Sequence, residues 1–268
     1  MASFDFDQAE GLRRMLAGPK PRVITFLSAA SGEEKNAMLV NLGASMAQGG
    51  RDVLLLDACL ASEGVSTRMN VSRGSTLLQV ARRERPLDDV MVSMPQGFSI
   101  AALKRNTQRL EINAEQSRGL HDAFDVLATR ADIVVVDAEL DKEDGFPISS
   151  LTDGDIVVQV SNSPASIKEA YAIIKRLNGK LGRRPFNLLV TGASEKEAKV
   201  VYQNMAQVAN RYLAVRINSV GSVPADEHTK RAMHLGRAVV DAFPLAGASV
   251  AFRQLAERFV VAEAAIAG

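Results

Sequence analysis

The sequence predicts a doubly wound α/β domain, a mostly parallel β-sheet with helices on both faces. Three observations predict it. Short, near-continuous apolar runs such as Ile133-Val134-Val135-Val136 recur along the chain, and strands that apolar are buried on both faces, as in parallel sheets. Segments with apolar residues at helical spacing separate them. The first strand also runs into a loop, a lysine and a helix, which is the layout of a phosphate-binding loop. With 268 residues, 47% hydrophobic and 24% charged, the chain can bury a full core.

Residues 5–17 read as a short helix, with Asp5 as N-cap and Gln8 completing a capping box. Gly18 and Pro19 stop it, and 18–21 read as a hinge. The predicted division is residues 1–21 as an appended partner-binding helix and hinge, and 22–268 as the α/β domain. Strands are predicted at 23–27, 53–56, 98–103, 133–136, 156–160, 186–190 and 217–223. Helices are predicted at 35–48, 74–83, 114–129, 164–177, 195–213, 225–235 and 248–264. In the first of these the apolar face is Met38, Leu39, Leu42 and Met46. In the last, Val250, Phe252, Leu255, Ala256, Phe259 and Val260 recur at helical spacing. Its few basic residues, Arg253 and Arg258, favour core packing over a membrane surface.

A net charge of +1 excludes a global basic footprint for nucleic acid. Cys59 stands alone, so no intramolecular disulfide forms, which suits a reducing compartment. The opening MASFDFDQAEGLRRML has no apolar run and is not expected to be a secretory signal. No stretch approaches the roughly 18–20 apolar residues of a membrane span. His121, His228 and His234 lack metal-ligand spacing and read as surface or capping residues.

The candidate phosphate loop is Ser28-Ala29-Ala30-Ser31-Gly32-Glu33-Glu34-Lys35-Asn36. Such loops aim backbone N–H groups and a helix N-terminus at phosphate oxygens. Their lysine reaches the terminal phosphates, and a following hydroxyl holds Mg²⁺. Here the motif's first glycine is Ala29, its second is Glu34, and Asn36 replaces the hydroxyl residue. Taken singly, Lys35 also reads as a surface residue at a helix start, and Asp57 and Asp137 as turn caps. Cys59 reads as a small, semi-buried residue rather than a nucleophile.

Further segments stand beside the loop. They are Asn41-Leu42-Gly43, Leu54-Leu55-Leu56-Asp57-Ala58, Asp132-Ile133-Val134-Val135-Val136-Asp137, the run from Ser163-Pro164 to Ile174-Lys175, and Gly221-Ser222-Val223-Pro224-Ala225-Asp226. With these the chain resembles the MinD/ParA family of deviant-Walker P-loop ATPases. Within it, Asp7-Gln8-Ala9-Glu10-Gly11-Leu12-Arg13 resembles the element that the flagellar-number regulators of the FlhG (FleN) branch carry ahead of the ATPase domain. The resemblance implies ATP or ADP with Mg²⁺ as ligand. It implies Gly32, Lys35, Asn36, Asp57, Asp137, Pro224 and Asp226 as nucleotide-site residues, with Asp57 and Asp137 toward the metal. If the site is active, Lys35 and Asp57 are its catalytic residues.

Against that pattern, the family's signature lysine is Ala30, the glycine before Lys35 is Glu34, and the second switch aspartate is Cys59. The asparagine expected near the base is Thr191. A carboxylate about 4–5 Å from a phosphate oxygen costs roughly 3–4 kcal/mol at an effective dielectric of about 20, or roughly two to three decades of affinity. Weak or absent ATP hydrolysis is therefore expected. The resemblance implies a cytoplasmic regulator of flagellar number and placement, peripheral at most at the inner membrane or a cell pole. It would act through Asp7, Gln8, Ala9, Leu12 and Arg13 on an FlhF-like SRP-type GTPase. Basal-body or C-ring proteins, a flagellar transcription regulator, or a second copy of the chain are further partners. No direct nucleic acid is expected, and weak membrane contact or none. The alternatives are an ATP-dependent MinD-type dimerising switch and, less favoured, a ParA-like DNA-partitioning protein.

Overall fold

The computed structural model describes residues 20–60, 63–71, 74–105, 110 and 112–264. The expected helix at 5–17, with Asp5, Asp7, Gln8, Ala9, Leu12 and Arg13, lies outside the described residues. In chain order the strands are β1 (Arg22–Ser28), β2 (Val53–Ala58), β3 (Val92–Ser93), β4 (Ser99–Ala102), β5 (Ile133–Ala138), β6 (Asp155–Ser161), β7 (Phe186–Thr191) and β8 (Ile217–Val223). The helices are α1 (Gly32–Gln48), α2 (Val65–Arg68), α3 (Leu77–Ala81), α4 (Ala114–Ala128), α5 (Pro164–Leu181), α6 (Glu195–Leu213), α7 (Glu227–His234), α8 (Val239–Ala242) and α9 (Gly247–Ala264).

The strands form one sheet in the order β3-β4-β2-β5-β1-β6-β7-β8. Every pairing is parallel except β3 with β4. The predicted mostly parallel sheet is therefore present, with a two-residue antiparallel strand at one edge. All six residues of β2 and all six of β5 are buried, as their unbroken apolar sequence requires.

Alternation along the central strands divides the core. Ile24, Phe26, Leu55, Ile133 and Val135 face α1, α8 and α9. On the other face Leu54, Leu56, Val134 and Val136 meet α4, while Val158, Val160, Leu188 and Val190 meet α5 and α6. Helices thus cover both faces. In α9, Phe252, Leu255, Ala256 and Phe259 enter the core, and Phe259 meets Phe26 edge-on at 6.1 Å between ring centres. Val250 stays 42% exposed. No helix among the described residues is long and apolar enough to cross a membrane.

Several predicted elements are trimmed. The helix expected at 74–83 is only Leu77–Ala81, because Thr76 is its N-cap and Gly74 sits at φ +104°, outside helical space. The helix expected from 35 begins at Gly32, where Ser31 caps it. The one expected at 225–235 begins at Glu227 because Asp226 is its cap. β3, α2 and α8, each of four residues or fewer, were not foreseen. Gly43 lets α1 lie close on the sheet: a Cβ there would meet Leu55 Cδ2 at 3.2 Å and Phe98 Cδ1 at 3.3 Å.

Candidate functional site

The order of the sheet decides where a site forms. β1 lies between β5 and β6, and the connection after β1 runs to β2 on one side while that after β6 runs to β7 on the other. In open α/β sheets the crevice beyond the carboxyl ends of such strands is where ligands bind. Here that crevice is framed by the loop from Ser28 to Ser31, the start of α1, and the ends of β2 and β5, which carry Asp57 and Asp137.

Several of the loop's amides are already engaged within the chain. Ala29 N–H donates to the Gln159 carbonyl at 2.9 Å, and Ala30 N–H to Ser28 Oγ at 3.1 Å. Ser31 and Glu34 form a reciprocal capping box. Glu34 N–H donates to Ser31 Oγ at 3.2 Å, and Ser31 N–H donates to the Glu34 carboxylate at 3.0 Å. The negative charge that a phosphate would bring to this helix N-terminus is thus supplied by Glu34 itself. The S-x-x-E spacing of Ser31 and Glu34 is the sequence signal for this box. The Glu34 carboxylate also borders Gly192, which follows Thr191 at φ +69°.

Lys35 is turned inward. It is 6% exposed, and its Nζ lies 2.8 Å from Asp137 Oδ1 and 3.3 Å from Cys59 Sγ. Burial works to lower its pKa, but the neighbouring Asp137 carboxylate, with Cys59, outweighs this and holds the ammonium firmly charged. Burial pushes the Asp137 carboxyl up, with Lys35 opposing it. Burial, reinforced by Asp137, pushes the Cys59 thiol far up, so it stays protonated and unreactive.

A segment that the sequence did not single out closes over the carboxylates. Val65 N–H donates to Asp137 Oδ2 at 2.9 Å. Ser66 gives both its N–H, at 3.0 Å, and its hydroxyl to Asp57 Oδ2. Asp57 Oδ1 accepts from Cys59 N–H at 3.1 Å. A Cβ on Gly64 would overlap the Asp57 carboxylate, so this approach requires glycine. A Cβ on Gly32 would likewise overlap the Arg68 guanidinium, which lies across the loop. α2 is too short for a periodic signal, so only Gly64 hinted at a close approach.

Asp57, Cys59 and Asp137 offer ligand atoms within 4.8 Å of one another, and Asn36 Oδ1 is buried without a hydrogen-bond partner among the described residues. Mg²⁺ takes oxygen ligands in octahedral geometry. Here the set contains a protonated thiol, the Lys35 ammonium already neutralises Asp137, and both Asp57 oxygens accept hydrogen bonds. In this arrangement the residues do not fit the ion.

Beside the loop a cleft of about 480 Å³ is lined by Met38, Thr191, Pro224 and Phe252 together with the acidic Glu33 and Glu34. Pro224 and Asp226 both border it. The Asp226 carboxylate is nevertheless committed to the fold. It accepts from His228 N–H at 2.9 Å, His228 Nδ1 at 2.8 Å and Ala248 N–H at 3.0 Å. Thr191 Oγ1 accepts from Gln159 Nε2 at 3.1 Å.

A mostly parallel sheet whose first strand turns through a loop and lysine into a helix, flanked by two aspartate-ended strands, defines the P-loop NTPase fold. The chain is 32% identical over 239 residues to Antiactivator FleN of Pseudomonas aeruginosa, an alignment covering 88% of this chain and 85% of that protein. No family model matches it. Among solved structures it is similar to the MinD cell division protein of Aquifex aeolicus, with a TM-score of 0.66 and 20% identity, over 90% of this chain and 97% of that one. It is also similar to the septum site-determining protein MinD of Pyrococcus horikoshii complexed with Mg-ADP, with a TM-score of 0.67 and 18% identity, over 92% and 99%. The chain belongs to the MinD/ParA family of P-loop ATPases.

Proposed function

We propose that this chain regulates flagellar number and placement through protein contacts, and that it does so with weak or absent ATP hydrolysis. The likeness to FleN supports the flagellar role, and that relative's designation as an antiactivator fits a transcription regulator among the partners. One observation carries the nucleotide-independent mode: the buried ion pair between Lys35 and Asp137. A lysine spent on an internal carboxylate is not presented to a terminal phosphate. The amides of Ala30 and Ser31 and the carboxylates of Asp57 and Asp137 are engaged in the same way, by the chain's own groups.

On this reading, residues Asp7 to Arg13 act on an FlhF-like GTPase without help from the ATP site. The test is the GTP hydrolysis rate of that GTPase with the purified full chain added, with and without ATP. Stimulation that is equal in both supports the reading. Stimulation only with ATP would favour the dimerising switch, and no stimulation in either would remove the GTPase from the partner set. The switch reading has one observation in its favour, the 480 Å³ cleft beside the loop, whose apolar floor of Met38, Pro224 and Phe252 suits a base. It requires α2 to withdraw and Lys35 to leave Asp137.

A further inference from the structure

A cavity of about 290 Å³ lies between α2, the turn at Gly74–Thr76 and the end of β4. Val71, Val90 and Val92 give it apolar walls, Thr67 and Ser75 are among its polar members, and Lys104 and Arg105 are its two cations, Arg105 donating to the Gly74 carbonyl. Two lysines are buried among the described residues, Lys35 and Lys104, each 6% exposed. Lys35 has Asp137. Lys104 has no ion pair or hydrogen bond with any described residue, and the cavity's described lining contains no carboxylate. The hydroxyls of Thr67 and Ser75 likewise lack partners among the described residues.

Lys104 is thus enclosed along its stem, lines the cavity and has no counter-charge among the described residues, which leaves its charge to be met by whatever enters. We infer that this cavity is a binding site for a small anionic group, a phosphate or a carboxylate. Lys104 is its counter-ion, and the Thr67 and Ser75 hydroxyls are hydrogen-bond donors. The volume lies at the lower limit of ligand pockets, which suits a phosphate monoester or a small carboxylate and excludes a whole nucleotide. Thr67 belongs to the same short helix whose Ser66 bonds Asp57. An occupant would therefore rest against the segment that closes the phosphate loop. The site does not depend on whether that loop binds ATP.

The test uses the full chain in a buffer free of phosphate and carboxylate. Inorganic phosphate and acetate are titrated separately, followed by calorimetry and by the backbone amide resonances of Thr67 and Ser75. The expected result is saturable binding that moves these two resonances and weakens at least tenfold in Lys104→Met, the scale of one charge-assisted contact. Binding of phosphate alone identifies a phosphorylated ligand, and binding of acetate as well admits carboxylates. Lys104→Arg keeps the charge and should bind within a few-fold of the wild type. In anion-free buffer, Lys104→Met should melt no lower than the wild type, because it removes an uncompensated charge. No binding of either anion, shifts confined to Ser31 and Gly32 in the loop, unchanged affinity in Lys104→Met, or a markedly lower melting temperature for that variant would each overturn the inference.

Discussion

Replacing Lys35 by Met asks whether the loop lysine serves the fold or a ligand. Its ammonium lies 2.8 Å from Asp137 Oδ1, with side-chain exposures of 8% and 1%. At an effective dielectric of about 20, the attraction at that distance is about 6 kcal/mol. Desolvating two ions offsets much of it, so the net value of the pair is small. Removing one partner is a different matter. Asp137 would remain buried with only Val65 N–H to serve it, and leaving such a charge uncompensated costs about 3–5 kcal/mol. At roughly 2.1 cal/mol/K per residue, the chain's unfolding entropy is about 0.56 kcal/mol/K, so Tm should fall by about 5–9 °C. Differential scanning calorimetry reads this directly. Lys35→Met combined with Asp137→Asn should recover much of the loss, since the amide keeps an acceptor for Val65 and carries no charge. A Tm for Lys35→Met within about 1 °C of the wild type is what a solvent-facing lysine would produce, and it would refute the reasoning.

Three more outcomes follow from named contacts. Asn41→Ala should cost about 1–3 kcal/mol, because Asn41 Oδ1 accepts from the buried Val239 N–H at 2.5 Å; the urea midpoint should drop with an unchanged slope. Asp226→Asn should weaken the acid dependence of stability. Burial works to raise the Asp226 carboxyl, but bonds from Ala248 N–H and His228 outweigh it, and its folded pKa lies below the usual carboxylate value. A depressed carboxylate stabilises fully above its unfolded pKa of about 3.9 and loses that contribution as pH falls through the folded value. The difference between wild type and variant should therefore hold down to about pH 4 and shrink only as pH falls further, through the folded value, in acid titrations followed by circular dichroism. Ser31→Ala should lower stability by about 1 kcal/mol through loss of the capping box, measured by chemical denaturation.

The strands were legible because their signal is local. A run such as Ile133 to Val136 has nowhere to go but the centre of a covered sheet, and β5 is buried throughout. Helices above about ten residues were legible for the same reason, since Met38, Leu39, Leu42 and Met46 mark one face of α1. Elements of two to four residues carry no period, so β3, α2 and α8 stayed hidden. The site was half legible. Lys35, Asp57 and Asp137 do converge at the carboxyl end of the sheet. Their engagement was not readable, because α2 carries no periodic signal and its Val65 amide meets Asp137, 72 residues away, while its Ser66 amide meets Asp57. Glu34 departs from the phosphate-loop pattern, and the serine three residues before it is how a capping box is written. Lys104 gave no sign at all, because a buried lysine without a partner looks like a surface lysine until the fold encloses it.

The most direct test of the central claim is calorimetric titration of the full chain with ATP and with ADP, Mg²⁺ present. If the amides of Ala30 and Ser31, Lys35 and the two aspartates are engaged by the chain itself, neither nucleotide should bind detectably up to millimolar concentration. Micromolar binding would mean that Lys35 leaves Asp137 at little cost and α2 withdraws readily, and the internally closed site would be contradicted.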